Sequence, residues 1–174
     1  FHGNPAGVVP DAKGLTDEQM LSIARELNNS ETAFIFETDS PDYNIEVRFF
    51  TPTTEVPICG HATIAAHYVR AKERNMEGGT VVQKTKAGIL PVEVVRTLSD
   101  YSITMTQGTP AVSAPFGDAV RERIADALGI AHEELCREYP VAVASTGHSK
   151  VMVPLYSNEL LHGLRPVSYT HLTL

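Results

Sequence analysis

The stretch Arg48-Phe-Phe-Thr-Pro-Thr-Thr-Glu-Val-Pro-Ile-Cys-Gly-His-Ala-Thr-Ile-Ala-Ala-His67 constrains the fold more than any other part of the chain. It opens as a strand. Tyr43, Ile45, Val47 and Phe49 alternate with Asn44, Glu46 and Arg48, the period of a half-buried strand. Pro52 and Pro57 then each deny a ladder one donor, and Thr53-Thr54-Glu55 between them reads as a turn. After Cys59 the period changes. Ala62, Ile64, Ala65, Ala66, Tyr68 and Val69 crowd nearly every side of a helix starting near Gly60, which predicts a buried helix. Its first N–H groups have no partner inside the helix, and its dipole favours an anion there. Gly60 has no side chain to hold a ligand away from the backbone, and His61 stands in the same first turn. Two readings stay open: an anion site, or a capped helix with a polar first turn.

The 174 residues suffice for one domain or two small ones, and 43% hydrophobic with 20% charged residues is a globular balance. A net charge of −7 without a Lys/Arg cluster argues against nucleic acid and against an anionic membrane surface as partners. No apolar run approaches the roughly 18 residues that span a bilayer. Two cysteines, Cys59 and Cys136, make a poor disulfide framework and fit a reducing, cytoplasmic setting. The first residues, Phe1-His2-Gly3-Asn4-Pro5, show neither a signal peptide nor a starting Met, so the N-terminus reads as cut.

Gly3-Asn4-Pro5 is a turn leading into Val8-Val9, and Asn4 either holds that turn or presents its amide to a ligand. Leu15–Asn28 reads as a helix. Thr16 and Gln19 form a capping box, Met20, Ile23, Ala24 and Leu27 an apolar stripe, and Asn28-Asn29 a stop. Ala33-Phe34-Ile35-Phe36 reads as a buried strand, with Glu31 at its mouth. That carboxylate is either exposed in the turn or partly desolvated, and in the second case it becomes a proton-transfer candidate.

The central helix is expected to end near Asn75. Thr80–Thr85 and Ile89–Val95 flank Lys86-Ala87-Gly88 as a hairpin, with Pro91 marking an edge or bulge, and Tyr101–Thr106 is a further strand. The Pro/Gly-rich segment from Gly108 to Gly117 reads as a domain boundary. A helix over Asp118–Leu128 stopped by Gly129 follows, then strands over Pro140–Ala144 and Val151–Pro154, and a short helix around Glu159–Leu161. No metal-ligand spacing stands out. His61 and His67 are six apart and do not share a helix face as i, i+4 neighbours do.

Three motifs together resemble the phenazine-biosynthesis PhzF-like isomerase family. Gly3-Asn4-Pro5-Ala6 is similar to its N-terminal Gly-Asn-Pro. Ile23-Ala-Arg-Glu-Leu-Asn28 leading into Ser30-Glu31-Thr32 is similar to its helix and Ser-Glu-Thr element. Arg48 to Thr63 is similar to its Phe-Thr-Pro, Glu-Val-Pro and Gly-His motif. A weaker likeness runs from Thr146-Gly147 to Leu164-Arg-Pro166.

The resemblance implies an α+β, diaminopimelate-epimerase-like fold. It has two similar domains, each a curved, mostly antiparallel, barrel-like sheet around a central helix, with the active site in the cleft between them. On that pattern residues 1–110 form the first domain, with its N-terminal strand expected to be missing, and residues 115–166 open an incomplete second one. Residues 167–174 follow no family pattern and read as a non-native tail. The family's Asp-Pro and Thr-Gly-Ser element, which closes the substrate cleft, has no counterpart here, so the chain is expected to be truncated at both ends.

The implied activity is a cofactor-independent isomerisation, with neither metal nor organic cofactor, that moves a proton between carbons of a small carboxylated metabolite. Glu31 matches the acid/base glutamate, and His61, Gly60, Cys59 and Asn4 match substrate-contacting positions. The family's epimerase relatives use a cysteine at the place of Cys59 as a base. Cys59 is read here as pocket wall, because PhzF-like proteins do not always keep it. The alternatives are a racemase or epimerase with Cys59 as second base, and a non-catalytic metabolite-binding protein of the same fold. A homodimer is admitted, and the polypeptide as written is expected to be inactive and aggregation-prone.

Overall fold

A computed structural model describes residues 3–165, so residues 167–174, read above as a tail, lie outside it. The chain divides between Gly108 and Thr109 into two compact units. The first contains β1 (Gly7–Val9), α1 (Asp17–Leu27), β2 (Thr32–Glu37), β3 (Ile45–Phe50), β4 (Glu55–Val56), α2 (Gly60–Glu73), β5 (Gly78–Thr85), β6 (Gly88–Arg96) and β7 (Tyr101–Met105). Its strands form one sheet in the order β1-β2-β3-β5-β6-β7, with β4 on the β3 edge. β1 runs parallel to β2 and β3 parallel to β5, while the other pairings are antiparallel.

The sheet curls around α2. The helix touches β1 and β2 at one end of the strand order and β6 and β7 at the other, which a flat sheet does not allow. Ala62, Ala66 and Ala71, all fully buried, face Ala33, Ile35, Val47, Phe49, Val81 and Val94. The expectation of a helix buried on every side needs correction. Ile64 is exposed and Tyr68 and Val69 are half-buried, so the covered face belongs to Ala62, Thr63, Ala66, His67 and Ala71. Small side chains let the backbone approach the sheet closely, Ile64 turns outward, and His67 is the one large side chain of α2 that is fully covered.

Pleating sends alternate residues of β2 to opposite faces. Ala33 and Ile35 join the α2 core, while Phe34 joins Phe50, Met20, Ala24 and Ala12 beneath α1. The Phe34 and Phe50 rings meet edge to face, 5.4 Å between centroids. α1 begins at the predicted capping box. Thr16 Oγ1 accepts from Gln19 N at 3.3 Å and Gln19 Oε1 accepts from Thr16 N at 2.9 Å. It ends at Asn28, whose φ of 49° is left-handed.

One sequence reading is corrected locally, and two are sharpened. Glu55 is not a turn residue but pairs with Phe50 in β4, and Thr51 closes the turn by accepting from Thr54 N at 3.0 Å. Pro91 causes no bulge: β7 pairs β6 only from Val92 to Arg96, so Pro91 lies beyond the reach of that neighbour. α2 ends at Glu73 rather than Asn75.

The second unit carries β8 (Ala111–Val112), α3 (Asp118–Leu128), a 3₁₀ turn (His132–Glu134), β9 (Ala142–Ser145), β10 (Lys150–Met152) and α4 (Asn158–Gly163). Neither β8 nor the 3₁₀ turn was read from the sequence. β9 starts two residues later and β10 ends two residues earlier than read there. The three strands form their own sheet, β10-β9-β8. Val112, Val151 and Met152 are exposed on it. Among the described residues no helix is long and apolar enough to cross a membrane.

Two buried contacts yield predictions. A Cβ at Gly7 would stand 2.6 Å from Thr32 Oγ1, too close for any side chain. Gly7→Ala should therefore cost about 1–3 kcal/mol by urea unfolding. His67 is 1% exposed and its Nε2 lies 3.0 Å from Gln83 Oε1, which ties α2 to β5. Burial pushes the imidazole pKa down, outweighing the hydrogen bond to Gln83, and Arg70 adds to the lowering. The folded state therefore binds fewer protons than the unfolded one below the ordinary pKa. Stability should be fully present above about pH 6.5 and fall with acidification until the folded-state pKa is passed. His67→Gln should flatten the Tm profile across that window.

Candidate active site

Three sequence-distant segments meet where α2 begins. Cys59 is its N-cap, in extended conformation with φ −144°, and makes no side-chain cap. Gly60 and His61 form the first helical turn, so their N–H groups have no partner inside the helix. Glu31 stands between the left-handed Asn28 that stops α1 and the first residue of β2. Its carbonyl accepts from Gly7 N at 3.0 Å, which pins the residue beside β1. Asn4 comes from the turn before β1.

His61 is the hub. Its Nε2 lies 3.4 Å from Glu31 Oε2, 3.2 Å from Asn4 Nδ2 and 3.3 Å from Ser30 Oγ. Its Nδ1 lies 3.3 Å from Cys59 Sγ. Asn4 Nδ2 also donates to Ser30 Oγ at 3.1 Å. Two proton arrangements are consistent with this geometry. In one, Nε2–H donates to Glu31 and Nδ1 accepts from the Cys59 thiol. In the other, Nε2 accepts from Asn4 and Nδ1–H donates to the Cys59 sulfur. The Glu31 side chain is 18% exposed and that of His61 31% exposed, so both are partly desolvated yet reachable.

All five residues named from the sequence, Glu31, His61, Gly60, Cys59 and Asn4, thus lie in one neighbourhood of the first unit. A Cβ on Gly60 would meet Gln107 Nε2 at an ordinary 3.5 Å, which places Gln107 beside the helix start. Ser30 and Gln107 were not assigned a place there. Ser30 had a signal, its adjacency to Glu31 between a helix stop and a strand, whereas Gln107 lies in an irregular segment with none.

The fold also assembles a metal-competent donor set where the sequence spacing offered none. One donor atom from each of Glu31, Cys59 and His61 lies within 4.8 Å of the other two. A search for i, i+4 ligands misses it because Glu31 arrives from another element.

Arg48 and Glu55 of the central motif serve the frame. Arg48 Nε and Nη2 donate to the two Glu55 oxygens at 2.8 and 2.7 Å, and Nη1 donates to Asp17 at 2.7 Å. Lys86 also donates to Glu55. Burial acts to raise the Glu55 carboxyl pKa, but the hydrogen bonds from Arg48 and Lys86 prevail and hold it below the ordinary value. The bidentate pair fastens β4 to β3 and so fixes the loop that delivers Cys59 and Gly60.

The sequence pattern of the phenazine biosynthesis-like proteins (PhzC-PhzF) matches residues 1–172. The chain is 54% identical over 166 residues to an uncharacterized isomerase of Clostridium acetobutylicum, covering 95% of this chain and 55% of that protein. It spans about half the length of the curated relatives it matches. Its fold superposes on a PhzF-family phenazine biosynthesis protein of Bacillus anthracis with TM-score 0.76 and 34% identity, covering 94% of this chain and 54% of that one. It matches a predicted epimerase of Pseudomonas aeruginosa with TM-score 0.85 and 26% identity, covering 95% and 58%. The curled sheet around α2 is accordingly the diaminopimelate-epimerase-like fold, and the chain belongs to the PhzC-PhzF family of phenazine biosynthesis-like proteins.

Proposed function

We propose that a protein of the relatives' length carrying this segment is a cofactor-independent isomerase that moves a proton between carbons of a small carboxylated metabolite. The observation that carries this reading is the half-buried Glu31 carboxylate 3.4 Å from His61 Nε2 at the start of α2. Glu31 takes a proton from a carbon acidified by a neighbouring carbonyl or double bond and returns it at another carbon. The α2 N-terminus at Gly60 receives the substrate carboxylate and opposes the charge that develops as the proton leaves. Asn4 and Ser30 hold the His61 ring at the angle this requires.

Cys59 belongs to the wall in this reading, and the geometry supports that role over the two-base alternative. Two bases that invert a carbon stand on opposite sides of it, each about 3–3.5 Å away and therefore about 6–7 Å apart. The Cys59 and Glu31 donor atoms lie within 4.8 Å of one another, too close to flank a carbon.

Steady-state turnover checks the assignment. Glu31→Gln should lower kcat by about 10²–10⁴-fold while leaving ligand binding nearly intact, and Cys59→Ala should cost far less. Equal losses from the two substitutions would replace the single-base reading with the two-base epimerase. Ligand binding without solvent deuterium entering the product would mark a non-catalytic binder.

A further inference from the structure

Glu31, Cys59 and His61 combine a soft thiol, an imidazole and a carboxylate, the donor types that hold zinc. Each comes from a different environment: the N-cap of α2, its first turn, and the mouth of β2. A tetrahedral zinc with bonds of about 2.0–2.3 Å sets its ligands about 3.3–3.8 Å apart. The Cys59 Sγ to His61 Nδ1 separation is already 3.3 Å, and one donor of each residue lies within 4.8 Å of the other two. Glu31 Oε2 now faces the other ring nitrogen, 3.4 Å from Nε2, so an ion held by Cys59 Sγ and Nδ1 requires the carboxylate to swing from Nε2 toward the thiol, within a donor set that spans at most 4.8 Å. Cys59 and Glu31 are half-buried and His61 is reachable, so an ion can enter and leave.

We propose that these three residues form a binding site for a thiophilic divalent cation, Zn²⁺ above all, and that its occupancy blocks the proton transfer. The ion displaces the thiol proton, takes the Glu31 lone pair, and leaves one coordination position for water. Hard cations such as Mg²⁺ gain nothing from a thiolate ligand and are excluded. The metal is an inhibitor competing for the acid/base group, and this half of the proposal rests on the isomerase reading above. The binding half does not.

Binding is tested on the 174-residue chain, with far-ultraviolet circular dichroism verifying the fold of each variant. Titration with Zn²⁺ should show a single tight site, and Co²⁺ should give a near-ultraviolet thiolate charge-transfer band. Cys59→Ala should abolish the band, and Cys59→Ala, Cys59→Ser and His61→Gln should each weaken Zn²⁺ binding at least about tenfold. Cys136→Ala should keep both. A band that survives Cys59→Ala, or Zn²⁺ affinity unchanged in Cys59→Ser and His61→Gln, would overturn the site. Inhibition is tested on the full-length isomerase, where Zn²⁺ should abolish turnover and a chelator restore it, with Mg²⁺ inert. Full turnover at saturating Zn²⁺ would overturn the inhibitory half. A cobalt band without turnover in any protein of this length would remove the isomerase reading and leave the metal site standing.

Discussion

The depth to which α2 enters the curl of the sheet controls everything at the site, and alanines set that depth. Ala62, Ala66 and Ala71 are each fully buried against β2, β3, β5 and β6 residues. A larger residue at any of them would push the helix axis outward, since close-packed interiors absorb added volume only by shifting their elements. Its first turn would then leave Glu31, which is fixed independently by β1 and β2. The contact between Glu31 and His61 thus depends on small side chains from the first turn of the helix to its last.

The same economy explains the polar residues of the central motif. Arg48, Glu55 and Lys86 pair with one another. Arg48 also lies over the Phe50 ring, 5.2 Å from its centroid. With its carboxylate already committed to two cations, Glu55 is poorly suited to receive a proton. Glu31, by contrast, faces the His61 imidazole at 3.4 Å rather than a fixed cation.

His61 reconciles demands that conflict in a single protonation state. Three groups converge on Nε2, and a thiol faces Nδ1. One ring nitrogen cannot donate to Glu31 and accept from Asn4 at once, so the hydrogen bonds select between two tautomers with the proton on opposite sides of the ring. The buried His67 contrasts with it. Burial keeps that ring neutral, and its role is to join α2 to β5.

Local rules sufficed for much of the chain. The capping box at Thr16, the stop at Asn28, the hairpin around Lys86-Ala87 and the helix from Asp118 to Gly129 each depend on a few adjacent residues, and each is legible in order. The site residues were legible through motifs, since Glu31, His61 and Asn4 sit at turns and helix starts with recognisable chemistry. What the sequence could not decide is which face of α2 is covered. Ile64 is more hydrophobic than Ala62, yet Ala62 is buried and Ile64 is exposed, because the covered face is set by how the helix fits the curl, which encloses His67 as well as the alanines. Nor could spacing reveal that Glu31, Cys59 and His61 share one small volume, or that His67 and Gln83 pair across the core. Those proximities join segments far apart along the chain. They are fixed by the packing of a helix against a curved sheet, a property of the assembled structure that no local pattern contains.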